Sequence, residues 1–381
     1  MRSGTGVKKH GIWDPLIYRK ATLEGSGPYR IDGIAYDREQ LADLCRRAAC
    51  DSDVPVWKRE VFRFIHLFLE GAAGTIRQQS SGTTGEPVWH GLEKTAMITS
   101  AGRTIRFFDL HPGDRALLCL PVEYIAGKMM VVRALTAGLD LVLAEPSGRP
   151  LEGIKGEFSF AAMVPLQLFE SLQNRDNLAA IEKLLVGGGE LHPSIRAELS
   201  RIEKPDVYES FAMSETCSHF AVRRISGPSP DPAFLTMEGA EIAMDDRGCL
   251  VVDVAGVTKG PVVTNDLVEI LGPGKGFRWL GRIDNLINTG GIKVFPEVLE
   301  ERIGKLLSAP CMVIPRPDRK LGQKLILLVE WPDPEAPVNS WSKLLGKELA
   351  AHETPKEFYP VREIPRNASF KPDRKAAQGL I

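Results

Sequence analysis

Cysteine is scarce in this 381-residue chain: six are scattered with no Cys-x-x-Cys pair, and the seven histidines form no His-x-x-x-His or Cys/His cluster. That argues against a disulfide framework and offers no transition-metal site. Cys45, Cys50, Cys119, Cys217, Cys249 and Cys311 have mostly apolar neighbours and are expected as reduced core residues of a cytoplasmic protein. Charge of one sign is missing too. With 48 Lys+Arg against 49 Asp+Glu the net charge is -1, so no global field draws the chain to nucleic acid or anionic lipid. No stretch approaches the roughly eighteen apolar residues of a membrane span. The first twenty residues carry basic groups without an apolar core or cleavage site, so no secretory signal is expected.

What is present is the composition of a soluble globular protein, 43% hydrophobic and 25% charged, at a length that suits two or three domains. Asp37 followed by Gln40 resembles a capping box, with Leu41, Leu44, Cys45 and Ala48 at helical spacing behind it. A second helix is expected over 56–70, burying Val61, Phe62, Ile65, Phe68 and Leu69 and ended by Gly71 and Gly74, then a strand over 75–79. Helices over 92–108, 126–136, 165–172 and 193–200 alternate with strands over 116–120, 139–144, 183–186 and 207–211. Such alternation predicts α/β architecture with largely parallel sheets and ligands at the carboxyl ends of strands. From 228 to 281, Gly/Pro/Asp turns separate short β-branched runs, which reads as a small antiparallel β subdomain. After a polar, glycine-bearing join at 281–291, a helix over 296–307, strands over 312–314 and 324–331 and a helix over 341–351 suggest a small α+β domain.

The chemistry concentrates in five ordered stretches. Ser80-Ser81-Gly82-Thr83-Thr84-Gly85-Glu86-Pro87 alternates hydroxyls with glycines, so amide and hydroxyl donors can close on an anion such as phosphate. It is not a Walker A loop, because no Gly-Lys-Ser/Thr ends it. In Tyr208-Glu209-Ser210-Phe211-Ala212-Met213-Ser214-Glu215-Thr216 a strand ends in a hydroxyl and a carboxylate. Glu215 offers Mg²⁺ a hard oxygen, and Ser214 offers phosphate a donor; an exposed loop carboxylate is the plainer alternative. In Val263-Thr264-Asn265-Asp266-Leu267, Asp266 either accepts both ribose hydroxyls or closes a hairpin. The last two stretches run from Gly281-Arg282-Ile283-Asp284-Asn285 to Gly290-Gly291-Ile292-Lys293-Val294, and through Asn367-Ala368-Ser369-Phe370-Lys371.

In this order, and over nearly the whole chain, these stretches resemble the adenylate-forming superfamily of acyl-CoA synthetases, luciferases and peptide-synthetase adenylation domains. The resemblance implies a large N-terminal AMP-binding domain over 1–283, built of α/β subdomains plus a small β subdomain, and a small mobile α+β C-terminal domain over 284–381. It assigns Ser80, Ser81, Thr83 and Thr84, with Gly82 and Gly85 in the same loop, to the phosphates of ATP. Phe211 on one side and Gly188, Gly189 and Glu190 on the other are assigned to adenine, and Asp266 and Arg282 to ribose. Ser214 is assigned to the α-phosphate, Glu215 to Mg²⁺, Asp284 to the hinge, and Lys371 to the mobile catalytic lysine. Gly290 and Gly291 would flank the pantetheine arm of CoA. The chain departs from the family pattern at Val88 where Lys is usual, and at Ala212, Asn265 and Phe370 where Gly is usual; Lys375 stays open as a rival for the lysine.

The implied activity is ATP-dependent acid–CoA ligation on a small carboxylic acid, with ATP and CoA as co-substrates, no nucleic-acid partner, and a homo-oligomeric state left open. Only 79 residues precede Ser80. This compact start, with Leu120 to Lys128 and Ser218 to Arg224, resembles short o-succinylbenzoate–CoA ligases of menaquinone biosynthesis. Their substrate is a diacid, and the carboxylate that does not react needs a cation or strong donors. If a strand runs over 217–224, alternation puts His219 and Arg223 on one face, with Phe220 and Val222 on the other. His219, Arg223 and Lys128 or Arg224 are the candidates for that spectator carboxylate; alternatively Arg223 pairs with a local acid.

Overall fold

The computed structural model describes residues 28–79, 89–189, 191, 193–272, 274–333, 335–366 and 372–381. The chain enters through β1 (Tyr29–Ile31) and β2 (Ile34–Tyr36), followed by α1 (Arg38–Cys50) and α2 (Val56–Glu70). The capping box forms as the sequence predicts. Gln40 N donates to Asp37 Oδ1 at 2.8 Å, and Asp37 N donates to Gln40 Oε1 at 3.0 Å. Helix α2 has the predicted bounds and buries the predicted residues plus Phe64. Gly71 ends it by close approach: a Cβ there would lie 2.4 Å from the Leu67 carbonyl oxygen.

The hairpin arms β3 (Thr75–Gln79) and β4 (Trp89–Glu93) follow, paired from Thr75 opposite Glu93 to Gln79 opposite Trp89. The expected helix over 92–108 therefore gives up its first residues to a strand, and α3 is Lys94–Phe107. The pairing partner lies across a loop, where a local pattern carries no trace of it.

Next come β5 (Arg115–Leu118), α4 (Ile125–Ala137), β6 (Asp140–Leu143), β7 (Phe158–Met163), α5 (Pro165–Ser171), α6 (Arg175–Ala179) and β8 (Ile181–Val186). They lead to α7 (Pro193–Leu199), β9 (Asp206–Ala212), β10 (His219–Arg224) and β11 (Leu235–Thr236). Among the described residues the main sheet has nine strands in the order β11-β10-β9-β8-β7-β5-β6-β1-β2. Its centre, β1, β6, β5, β7, β8 and β9, is parallel; β2, β10 and β11 add antiparallel edges. A parallel sheet must be covered on both faces. Ala116 and Leu118 pack into the core that contains α1 to α4, while Leu117 and Cys119 pack into the one containing α5 to α7. Five cysteines are buried or half-buried as expected, but Cys50, at the last position of α1, is exposed.

The β subdomain is a four-stranded antiparallel sheet of β12 (Ala240–Met244), β13 (Cys249–Val254), β14 (Val262–Ile270) and β15 (Phe277–Arg282). It packs on the edge of the main sheet through Phe220, Phe234, Leu250, Val252 and Phe277. Beyond a 3-10 turn at Ile283–Asn285 come β16 (Ile287–Thr289), β17 (Ile292–Val294), α8 (Pro296–Leu307), β18 (Cys311–Asp318) and β19 (Gly322–Glu330). The chain closes with α9 (Val338–Glu348), β20 (Glu357–Val361) and α10 (Arg374–Gln378). Strands β16 to β20 form a separate sheet, with its own core around Leu299, Ile303, Leu327 and Trp341. No helix among the described residues is long and apolar enough to cross a membrane.

Candidate active site

Several expected residues converge at the carboxyl ends of β8 and β9. Gly187 leaves β8 where a Cβ would come 2.2 Å from Ser210 Oγ, so the two strand ends approach closely; Gly188 follows at φ +85°, a conformation that favours glycine. Gly189 lies against Pro165. Phe211, near the end of β9, meets Phe220, Phe234 and Phe277 edge-on at centroid distances of 5.1 to 5.7 Å and stays partly exposed. Its ring is thus held from one side by the β subdomain.

Ser214 and Glu215 follow on a turn. They line a cavity of about 480 Å³ together with Gly91 and Leu92 of β4, Cys217, and Lys259. Pro261 and Val262, where β14 begins, complete its wall. The arm of the hydroxyl-rich loop and the strand carrying Asp266 therefore border one cavity. Ser80, Ser81, Gly82, Thr83, Thr84, Gly85, Val88, Glu190, Phe370 and Lys371 lie outside the described residues.

Glu215 is exposed, and among the described residues no hydrogen bond or ion pair engages its carboxylate. No group of three or more metal-ligating side chains occurs among the described residues. A single open carboxylate suits Mg²⁺, which keeps much of its water shell and takes one or two carboxylates plus substrate phosphates. It would not make an all-protein cage.

Asp266 is not a hairpin turn: it sits inside β14, directly opposite Arg282 of β15. Its Oδ1 accepts from Trp279 Nε1 at 3.0 Å and lies 4.0 Å from the Arg282 guanidinium. Arg282 donates at 2.7 Å to Asp284, whose carboxylate also receives Asn265 Nδ2 at 3.3 Å to each oxygen. Asn265, which replaces the usual Gly, thus ties β14 to Asp284, the expected hinge. Gly290 and Gly291 form the two-residue turn between β16 and β17, at φ +62° and +84°. Positive φ at both positions defines a type I′ hairpin turn and accounts for the glycine pair.

The acid-binding expectations fare unevenly. Lys128 Nζ donates to Gln78 Oε1 at 2.6 Å and to the Glu123 carbonyl at 3.2 Å, so it braces the strand that enters the hydroxyl-rich loop; burial lowers its pKa. Burial, then the neighbouring Arg133, holds His219 well below the usual imidazole value; its ring lies 3.3 Å from Thr104 Oγ1 and 3.1 Å from Ser218 Oγ. The shared face of His219 and Arg223 does not survive. A bulge between His219 and Ala221 shifts the register by one, so His219 meets Thr104 of α3 whereas Arg223 lies over the Phe234 ring, 4.5 Å from its centroid. Phe220 and Val222 are split between two cores for the same reason.

Arg223 also has a carboxylate partner already. Its Nε donates to Glu209 Oε2 at 2.7 Å, and Arg196 reaches both Glu209 oxygens at 2.9 and 3.0 Å. Burial alone would raise the Glu209 pKa, but the two arginines outweigh it and hold the carboxylate below its usual range. Arg224 turns outward, 3.7 Å from Asp206. Lys375 lies exposed on α10.

The residue the sequence reading missed is Arg133, on α4. It is 2% exposed, donates from Nη2 to Ser218 Oγ at 3.1 Å and from Nη1 to Met130 Sδ at 3.5 Å, and its buried Nε has no acceptor. No carboxylate among the described residues pairs with it. Burial lowers its pKa to about 10, a value at which it stays cationic at neutral pH. The available signal was a single Arg inside the apolar run Met129-Met130-Val131-Val132 and Ala134-Leu135.

An α/β sheet whose strand-end carboxylate, Glu215, shares one cavity with β4 and with the start of the strand that carries Asp266 is the arrangement of a nucleotide-binding enzyme. Comparison with known proteins agrees. A family model described as AMP-binding enzyme matches residues 78–261. A solved structure, an acyl-CoA synthetase (AMP-forming)/AMP-acid ligase II-like protein from Dyadobacter fermentans, is 32% identical over 89% of this chain and 98% of its own, with a TM-score of 0.59. The chain belongs to the AMP-binding enzyme family. A probable 2-succinylbenzoate–CoA ligase of Mycobacterium tuberculosis is 27% identical over 329 residues, covering 78% of this chain and 82% of its own length. MenE of E. coli, solved with an m-phenylether-linked analogue of OSB-AMS, shares the fold at 16% identity over 97% of this chain and 98% of its own, with a TM-score of 0.72.

Proposed function

We propose that the chain is an ATP-dependent acid–CoA ligase that adenylates o-succinylbenzoate and then transfers the acyl group to the CoA thiol. The observation that carries the choice of acid is Arg133. A buried cation with no acidic partner is costly on its own, and it sits one hydrogen bond from Ser218, next to Cys217 in the wall of the cavity that holds Glu215. An anion brought by the substrate would neutralise it. A diacid does so with the carboxylate that does not react, and Ser218 and His219 supply further polar groups beside it. The relative from Mycobacterium tuberculosis, named for the same acid, supports this reading.

The division of labour follows from the chemistry. A carboxylate is a poor electrophile, because attack must add charge to an anion. Joining it to AMP, with release of pyrophosphate, gives the acyl carbon a good leaving group; the thiol then displaces AMP. Ser214 would donate to the α-phosphate, and Asp266 would take the ribose hydroxyls while Trp279 fixes its orientation. Phe211 would lie on adenine opposite Gly188 and Gly189, with Glu190. The loop from Ser80 to Gly85 would cradle the triphosphate. Glu215 would hold Mg²⁺, which when bound offsets phosphate charge.

Lys371 would neutralise charge growing at the α-phosphorus and the bridging oxygen. Residues 284–381 would then turn about Asp284, withdrawing Lys371 and bringing Gly290 and Gly291 beside the pantetheine arm. The separate core of β16 to β20 supports movement as a unit. The test is a coupled assay of pyrophosphate release and thioester formation, with o-succinylbenzoate compared with benzoate and short fatty acids. The diacid should be turned over with the highest kcat/KM; a monoacid preferred over it would reject this choice of substrate.

A further inference from the structure

A chain of hydrogen bonds runs from Arg133 into α3, and its direction is fixed at both ends. Arg133 Nη2 donates to Ser218 Oγ at 3.1 Å. Ser218 Oγ lies 3.1 Å from His219 Nδ1, His219 Nε2 lies 3.3 Å from Thr104 Oγ1, and Thr104 Oγ1 donates to the Ser100 carbonyl at 3.3 Å. All five residues are buried. The bulge after His219 aims its ring at α3, so the contact with Thr104 comes from the same irregularity that parts His219 from Arg223.

A guanidinium only donates, and a carbonyl only accepts. At one end Ser218 Oγ must therefore accept. At the other, Thr104 spends its single hydroxyl proton on Ser100, so towards the imidazole it can only accept. The proton of a neutral His219 must then sit on Nε2. Nδ1 becomes a bare acceptor and takes the Ser218 hydroxyl proton. Burial, with Arg133 nearby, keeps the ring neutral. In this sense all four hydrogen bonds form. In the opposite sense Thr104 would donate to Nε2, Nδ1 would donate to Ser218, and the Ser218 proton would have no acceptor among the described residues. A buried donor left unpaired is costly, which selects the first sense.

We infer that Thr104 is a positioning residue for acid recognition: it fixes His219 as the Nε2–H tautomer and, through the Ser218 hydroxyl, holds the Arg133 guanidinium in place for the second carboxylate of the substrate. The inference rests on the diacid reading above. Hydrogen bonds in a chain polarise one another, so a hydroxyl that donates is the better acceptor. Ser218 therefore grips Arg133 most firmly while its own proton is taken by His219. Arg133 depends on that grip, because among the described residues its Nε has no acceptor and its Nη1 reaches a methionine sulfur, a weak one. Thr104 acts through two intervening side chains rather than on the substrate.

The tautomer is read directly by nitrogen NMR of the full chain labelled at the histidine rings, the His219 signals being those lost in His219→Gln. At neutral pH the wild type should show Nε2 protonated and Nδ1 bare; a proton on Nδ1 would overturn the proposal whatever the kinetics. In Thr104→Val, which keeps the shape and removes the hydroxyl, the pattern should shift towards Nδ1–H, and Thr104→Ser should restore it. An unaltered tautomer in Thr104→Val would show that another group fixes the ring. KM for o-succinylbenzoate should rise roughly 3- to 10-fold in Thr104→Val, the range of one weakened neutral hydrogen bond. The kcat, KM for ATP and KM for benzoate should be little changed, and an equal loss with benzoate would mark a merely structural role. Ser218→Ala cuts the chain next to Arg133, so Thr104→Val should add nothing to it; multiplicative rises in the double variant would count against the linkage. A wild type that shows no preference for the diacid over benzoate would instead tell against the o-succinylbenzoate reading, while Nε2–H in the wild type and its loss in Thr104→Val would still establish the hold of Thr104 on His219.

Discussion

Arg223 Nε donates to Glu209 Oε2 at 2.7 Å, inside an interior where Arg196 already holds both oxygens of the same carboxylate. Two cations on one half-buried acid leave an excess positive charge; at Glu301 of α8 burial pulls the carboxyl upward, but Lys305 first, and then Arg196 and Arg223, hold it below its usual range. This is a structural junction between α7, β9, β10 and the first helix of the C-terminal part.

Replacing Arg223 by Ala should therefore cost stability rather than acid recognition. Glu209 keeps Arg196 but loses a charge-assisted hydrogen bond, so a loss of about 2–3 kcal/mol is expected. Urea unfolding should show it as a lower midpoint, while kcat/KM for o-succinylbenzoate stays within about 3-fold, a free-energy change under 1 kcal/mol. A large drop in kcat/KM at unchanged stability would return Arg223 to the acid site.

Gly281→Ala places a methyl group 2.3 Å from Glu297 Oε2, at a backbone φ of +124° that L side chains rarely adopt. Glu297 cannot swing aside freely, because Asn285 and Arg374 hold its other oxygen. The substitution should destabilise the chain by about 1–3 kcal/mol. Thermal unfolding checks this, and an unaltered Tm would mean that the turn relaxes at no cost.

Glu300 is a buried carboxyl whose pKa is raised to about 7 by burial, with Arg374 opposing the rise and Glu297 adding to it. A raised folded value means that the folded chain holds this proton more tightly than the unfolded one. The contribution to stability is full below the ordinary carboxylate value and is lost as pH climbs through about 7. Against Glu300→Gln, the wild type should lose on the order of 3 kcal/mol of relative stability between pH 4.5 and 8. A difference independent of pH would show that Glu300 stays ionised throughout.

Much of the fold was legible because punctuation in the sequence is physical. Helices Val56–Glu70 and Pro296–Leu307 fall where proline and the apolar stripe put them, whereas the hairpin turn at Gly290-Gly291 lay inside what reads from the sequence only as a polar, glycine-bearing join. Strand Phe158–Met163 escaped notice: a short apolar run buried on both faces has no period of two to read. The site was legible as an ordered set of motifs, and Glu215 and the strand of Asp266 do border one cavity. The acid pocket was less so. One extra residue in β10 puts His219 and Arg223 on opposite sides, and a bulge leaves no mark on an alternating pattern. Arg133 was hidden by its surroundings, since its meaning lies in having no paired acid among the described residues, which only packing reveals.

The central claim is that Arg133 is held ready for the second carboxylate of a diacid. The direct measurement is the ratio of kcat/KM for o-succinylbenzoate to that for its analogue with the spectator carboxylate replaced by an amide, in the wild type and in Arg133→Gln. Removing one partner of a buried charge pair costs about 2–5 kcal/mol. The wild type should therefore favour the diacid by roughly 30-fold or more, and Arg133→Gln should bring the ratio close to one, with pyrophosphate release from the amide little changed. A ratio equally large in Arg133→Gln would contradict the account.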